Sequence, residues 1–151
     1  MLALDPCRGV APARPRARIG AVTSYYDISA ANDRLADLRP LLVGLRRDRD
    51  EVALTQLRLA ELVGDDGDEG TLVNEQRRVL KATVGRMEAA VRQIDAWGVT
   101  LRDIGSGLID FPALANGRPV WLCWKLGEGD IAWWHELQAG VAGRRPLIEL
   151  E

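Results

Sequence analysis

The chain has 151 residues, 47% of them hydrophobic and 28% charged, with a formal net charge of −2. That is the size and balance of one globular domain, without the basic excess of a nucleic-acid binder. No apolar run approaches the roughly 20 residues of a membrane-spanning helix, and the start lacks the apolar core of a secretory signal. The only cysteines, Cys7 and Cys123, indicate neither a disulfide framework nor a cysteine metal centre. A reducing cytoplasm is the expected compartment, with no metal and no cofactor. Of 20 basic residues 18 are arginine, an excess read here as compositional.

Residues 1–22 carry Pro6, Pro12 and Pro15 among Arg8, Arg14, Arg16 and Arg18, and no helical or strand period survives that spacing. A disordered basic tail is expected there, followed by a single domain over residues 23–151. Ser29 is a plausible N-cap for a first helix. Ile28, Ala31, Leu35, Leu38, Leu42, Leu45, Arg49, Val52, Gln56, Leu59 and Val63 then alternate three and four residues apart, the heptad signature, with Arg49 and Gln56 as polar interruptions. Pro40 removes a backbone donor and crowds Ala36, so a kink or a break is expected there. Leu54, Leu57 and Leu62 lie off this seam and call for a second contact surface.

The acidic Gly64–Gly70 stretch lacks the ligand spacing of a calcium loop and reads as a solvated connector. Thr71 can cap a second helix, whose seam is Val73, Gln76, Leu80, Thr83, Met87, Ala90, Ile94 and Trp97, widened by Val84 and Val91, with Gly98 as its stop. The fold class is therefore α+β: a long antiparallel, coiled-coil-like helical hairpin over residues 28–97, then a small antiparallel β-meander of about four strands over 99–136 and a C-terminal tail over 137–151.

All five tryptophans, the one phenylalanine and the one histidine fall between Trp97 and Pro146. If the glycine-rich separators are tight turns, Ile104 pairs with Leu108, Phe111 with Val120 and Leu126 with Ile131. That register sets Leu101, Ile109, Phe111, Leu122, Trp124, Leu126, Ile131, Trp133 and His135 on the face toward the helices. The other face carries the row Arg102, Asp110, Trp121 and Glu136, flanked by Ile104, Leu108, Cys123 and Trp134.

The string Asp110-Phe111-Pro112-Ala113, Gly117-Arg118, Val120, Leu122-Cys123-Trp124, Gly127-Glu128, Ile131, Trp134-His135-Glu136, Gly140 and Gly143-Arg144-Arg145-Pro146 resembles the bacterial and cyanobacterial domain-of-unknown-function family number 2203. Upstream, Ala30-Ala31-Asn32 and Leu38-Arg39-Pro40-Leu41-Leu42 are similar to the start of that family. The resemblance spans about residues 25–148 and implies no particular activity.

Most chemical motifs fail on spacing. Gly127-Glu128-Gly129-Asp130-Ile131-Ala132 matches a dinucleotide fingerprint only without its βαβ setting, and Gly105-Ser106-Gly107 is a turn rather than a nucleophile elbow. His135-Glu136 cannot begin a zinc-protease helix, because position 139 is alanine and the chain holds no second histidine. Two functions remain. The favoured one is a self-associating, non-enzymatic interaction module, a homo-oligomer whose Trp121, Trp134, Asp110, Arg102, Glu128, Arg144 and Arg145 surface recognises a protein or a small anionic ligand. Membrane partners are not expected, and nucleic acid is disfavoured. The alternative is a small enzyme with His135 as acid or base, Asp110 or Glu136 as its companion, and an Arg144/Arg145 anion clamp.

Overall fold

The computed structural model describes residues 24–64 and 70–150, so the expectations for the 1–22 tail and the acidic connector lie outside the described residues. Helices α1 (Ile28–Gly64) and α2 (Thr71–Ala96) precede strands β1 (Thr100–Asp103), β2 (Leu108–Ala115), β3 (Arg118–Trp124), β4 (Trp133–His135) and β5 (Arg145–Pro146). The strands form one antiparallel sheet in chain order. The α+β expectation of hairpin and meander holds, with a fifth short strand drawn from the stretch expected to be a tail. No described helix is long and apolar enough to cross a membrane.

Asp27, not Ser29, caps α1: its Oδ1 accepts the Ala30 N–H at 2.7 Å. Thr71 is likewise the first residue of α2 rather than its cap, with extended Gly70 before it. Pro40 does not break α1, which runs on to Gly64. Ala36 and Pro40 are both exposed, so the carbonyl that Pro40 leaves without its donor can be met by water. At the end of α2 the Gly98 N–H donates to Asp95 O at 2.9 Å and the Val99 N–H to Ile94 O at 3.2 Å. These are the two bonds of a Schellman stop, and Gly98 takes the φ of +72° that the motif requires.

One apolar cluster joins Ala31, Leu35, Leu38, Leu42 and Leu45 of α1 and Ile94 of α2 to Ile109, Phe111, Leu122, Trp124 and Trp134 of the sheet. The first half of α1 and the last turns of α2 therefore lie on the sheet. Beyond Leu45 the hairpin continues as an arm in which the fully buried residues among those described are Asp48, Thr55, Val73 and Thr83. The expected α2 seam from Val73 to Trp97 is kept, although Val84, expected to widen it, is exposed. On α1 the row Ala31, Leu38, Leu45, Val52 and Leu59 stays inward, but its companions step from Leu35 and Leu42 to Asp48, Thr55 and Leu62, leaving Arg49, Gln56 and Val63 exposed. The reason is a change of neighbours. Near the sheet, the inward direction of α1 lies between α2 and the strands; along the arm, α2 is its packing partner and the buried stripe rotates toward it.

Arginines line the tryptophans. Arg34 lies over Trp97, Arg39 over Trp124, Arg102 over Trp121, Arg144 over Trp133, and both Arg118 and Arg145 over Trp134, with guanidinium carbons 4.8–5.9 Å from the ring centroids. Proteins carry such contacts about once per 70–80 residues. Six here give the arginines of this region a packing role on the tryptophan rings.

Three pairings differ from those expected. Between β2 and β3, Phe111 pairs with Leu122 rather than Val120. The turn is the two residues Asn116-Gly117, at φ 50° and 77°, the left-handed pair of a type I′ hairpin. A shift of two residues preserves the faces. Between β1 and β2, Leu108 meets Asp103 rather than Ile104, past a bulge between Leu101 and Asp103.

The third difference has larger consequences. Cys123 pairs with Trp133, Leu122 with Trp134 and Trp121 with His135, one residue away from the expected Trp124–Trp133 opposition. A slip of one residue reverses every side chain of β4. Trp134 moves into the core, and Trp133 and His135 move to the opposite face. The cause is the 125–132 segment, which is no tight hairpin. The Trp124 indole N–H donates to Gly129 O at 2.8 Å, and the Ile131 N–H donates to Asn32 Oδ1 of α1 at 2.7 Å. Ile131 is thus tied to the helix rather than set across from Leu126. The residues after β4 return as β5, where Trp133 pairs with Pro146 and Trp134 with Arg145.

Candidate functional site

Strand alternation and this register bring Asp110 of β2, Cys123 of β3 and His135 of β4 together on the sheet face away from the helices. One ligand atom from each lies within 4.8 Å of the others. All three residues are buried, at 2%, 0% and 2% exposure. Trp121 and Trp133 flank them on the same face, each carrying an arginine on its ring, Arg102 and Arg144.

The hydrogen bonds define the chemistry. His135 Nδ1 lies 2.8 Å from Glu136 O. A carbonyl oxygen only accepts, so Nδ1 carries the proton and Nε2 is the nitrogen turned to the cluster. Nε2 lies 3.2 Å from Asp110 Oδ2, which also receives the Arg102 Nε–H at 2.7 Å. The other carboxylate oxygen, Asp110 Oδ1, is buried with no nitrogen or oxygen donor, and the Cys123 thiol, a weak donor, lies against the carboxylate. Burial foremost, and then the neighbouring Asp110 carboxylate, push the Cys123 thiol up to about 12.

These facts weigh against a cysteine nucleophile. A thiol held so high is protonated near neutral pH, so the thiolate that a nucleophile needs is not present. An open cleft of about 330 Å³ is bounded by Tyr25, Arg102, Pro112, Pro119, Val120, Trp121 and Leu137, and not by His135.

The other candidate residues are distributed differently from the expected recognition face. Arg144 Nη2 donates to both oxygens of Glu128 at 2.8 and 2.7 Å, and Glu128 also accepts the Lys125 N–H at 3.0 Å. That pair locks the C-terminal segment onto the loop before β4. Arg145 lies over the Trp134 ring, and Trp134 is 2% exposed, with its indole N–H donating to Pro146 O at 3.2 Å. Glu136 is ion-paired with Arg118 across the sheet. Asp110 and Trp134 therefore belong to the interior, while Arg102 and Trp121 reach the cleft. Cys123 was assigned no role in the sequence. Its face was legible from the alternation of β2 and β3, but its meeting with His135 depended on the register of β4.

The arm is a second candidate surface. Leu54 is 54%, Leu57 64%, Val63 58% and Leu72 67% exposed, an arrangement opposite to that of a self-sufficient hairpin. Beside Leu54 on one face of α1 lie Val43, Arg46, Arg47, Asp50, Glu51 and Arg58. In the seam itself Asp48 is held below the ordinary carboxylate range by its hydrogen bond to Arg86, at 3.1 Å, against the opposing pull of burial, and by Arg47.

No curated protein and no solved structure matched the chain. The family model described as "Uncharacterized conserved protein (DUF2203)" matches residues 24–147, a span that includes the whole buried cluster, both helices and all five strands. The chain belongs to the DUF2203 family.

Proposed function

We propose that the protein is a non-enzymatic interaction module that pairs with a second copy of itself through the outer face of the α1 arm. The observation that carries this reading is the inversion of the arm, with leucines outside and Asp48, Thr55 and Thr83 inside. Charge pattern selects the partner. Positions 47, 50, 54, 58 and 61 lie at −7, −4, 0, +4 and +7 about Leu54, along one face of the helix. When two copies of α1 run antiparallel about a two-fold axis at Leu54, Arg47 meets Glu61 and Asp50 meets Arg58, each twice. Arg58 and Glu61 have no ionic partner among the described residues, which leaves both available for such a contact.

The other part of the reading, a face for a protein or a small anion, narrows to the cleft beside Trp121, where Arg102 supplies the cation. The free thiol of Cys123 is in keeping with a reducing cytoplasm. Size-exclusion chromatography with light scattering tests the pairing. A dimer is expected that Leu54→Glu reduces to monomer. Arg58→Glu weakens it, and the double variant Asp50→Arg/Arg58→Glu restores it. A strictly monomeric wild-type protein at high concentration ends this reading.

A further inference from the structure

We infer that Asp110, Cys123 and His135 form a binding site for one thiophilic divalent cation of the zinc type, with Oδ1, Sγ and Nε2 as its ligands.

The first support is donor chemistry. A thiol sulfur, an imidazole nitrogen and a carboxylate oxygen form a borderline-soft set suited to zinc or cobalt and poorly suited to calcium or magnesium. The second is reach. In a tetrahedral zinc site, with bonds of about 2.3 Å to sulfur and 2.0–2.1 Å to nitrogen or oxygen, donor atoms lie about 3.3–3.6 Å apart. One ligand atom from each residue already lies within 4.8 Å of the other two, so closing on an ion asks for movements of about an ångström. Each ligand comes from a different, hydrogen-bonded strand, which fixes the backbone beneath them.

The third support is independent of the cluster's composition. Asp110 Oδ1 is a buried carboxylate oxygen with no nitrogen or oxygen donor, on a residue only 2% exposed. Such a group carries an uncompensated desolvation cost if nothing satisfies it. A cation at this position satisfies it. The groups around the ligands match those that orient metal ligands elsewhere. His135 Nδ1–H is anchored on Glu136 O, which points the Nε2 lone pair inward, and Arg102 holds Oδ2 so that Oδ1 is left for the ion. Coordination deprotonates the thiol, and its proton passes to solvent. With thiolate and carboxylate both bound, a divalent ion is neutralised at the site, and a fourth position remains for water.

This inference concerns the sheet and stands or falls apart from pairing through the arm. The test uses the full chain carrying Cys7→Ser, so that Cys123 is the only thiol. Cobalt(II) is titrated in and followed by absorption, and zinc(II) is then competed against a chromophoric chelator. One cobalt per chain is expected, with a near-ultraviolet sulfur-to-cobalt charge-transfer band that zinc abolishes, and zinc should raise the melting temperature. Cys123→Ser should remove that band, and Asp110→Asn should weaken zinc at least tenfold; circular dichroism and the melting curve report whether each variant is folded. If Cys123→Ser fails to fold, the band in the parent protein decides the matter alone, since only a Cys123 thiolate can produce it. A parent protein without the band overturns the site. So does zinc affinity unchanged in folded Cys123→Ser and Asp110→Asn, which would mark an adventitious surface ion.

Discussion

Near the sheet, α1 turns Ala31, Leu35, Leu38, Leu42 and Leu45 inward; farther along, the same helix turns Asp48 and Thr55 inward and leaves Leu54 and Leu57 outside. The difference shows that a three-and-four spacing specifies a helix with a stripe but not what the stripe packs against. At the sheet end α1 has two neighbours, α2 and the strands, and apolar burial is continuous. Along the arm α2 alone packs against it, and the seam is polar. Stability should therefore be concentrated at one end and the capacity to bind a partner at the other.

The largest test of that contrast is Phe111→Ala. Phe111 is fully buried and packs edge-to-face on Tyr26 at 5.0 Å, so the change should cost about 3–5 kcal/mol in denaturant unfolding. A loss under 1 kcal/mol would mean that the sheet end is not the stable core. Next is Gly107→Ala, in the turn between β1 and β2. Gly107 has a φ of +64°, and an added Cβ would lie 2.6 Å from Leu126 Cδ1. About 1–3 kcal/mol should be lost, most of it at this end.

In the arm the effects should be smaller. Asp48→Asn removes the charge paired with Arg86, which is half exposed and can still reach Glu51 at 3.2 Å, so about 1 kcal/mol is expected. The pH dependence has a definite sign. The folded carboxyl is depressed below its ordinary value of 3.8, so its contribution is present above that value and fades as pH falls through the lower, folded one. Acid titration of wild-type protein and variant should converge below about pH 4; parallel curves down to lower pH would exclude the pair as the cause. The smallest effect carries the opposite sign. Thr55 is buried with its Oγ1 unpartnered, so Thr55→Val, of nearly the same shape, should raise stability by about 0.5–1 kcal/mol. Destabilisation would show that the hydroxyl is satisfied after all.

Pattern alone was enough for two helices, for the α2 seam from Val73 to Trp97, for the Gly98 stop and for an antiparallel meander after it. These follow from local rules: side-chain period, backbone freedom at glycine, and turn chemistry. The Asn116-Gly117 turn was also legible, since that dipeptide is the strongest short-range hairpin signal. The cap on Asp27 belongs to the same class of local signal.

The site belongs to another class. That Asp110 and Cys123 share a face follows from alternation along two strands joined by a two-residue turn. That His135 joins them does not, because the Ile131 N–H bonds to Asn32, 99 residues earlier in the chain, and that bond helps set the register of β4. A slip of one residue carries no local signature and reverses a whole strand. Composition and period thus determined the kinds of elements and their order. Tertiary contacts decided which side of the sheet the histidine occupies and which residues of α1 are buried, since both depend on partners distant in sequence.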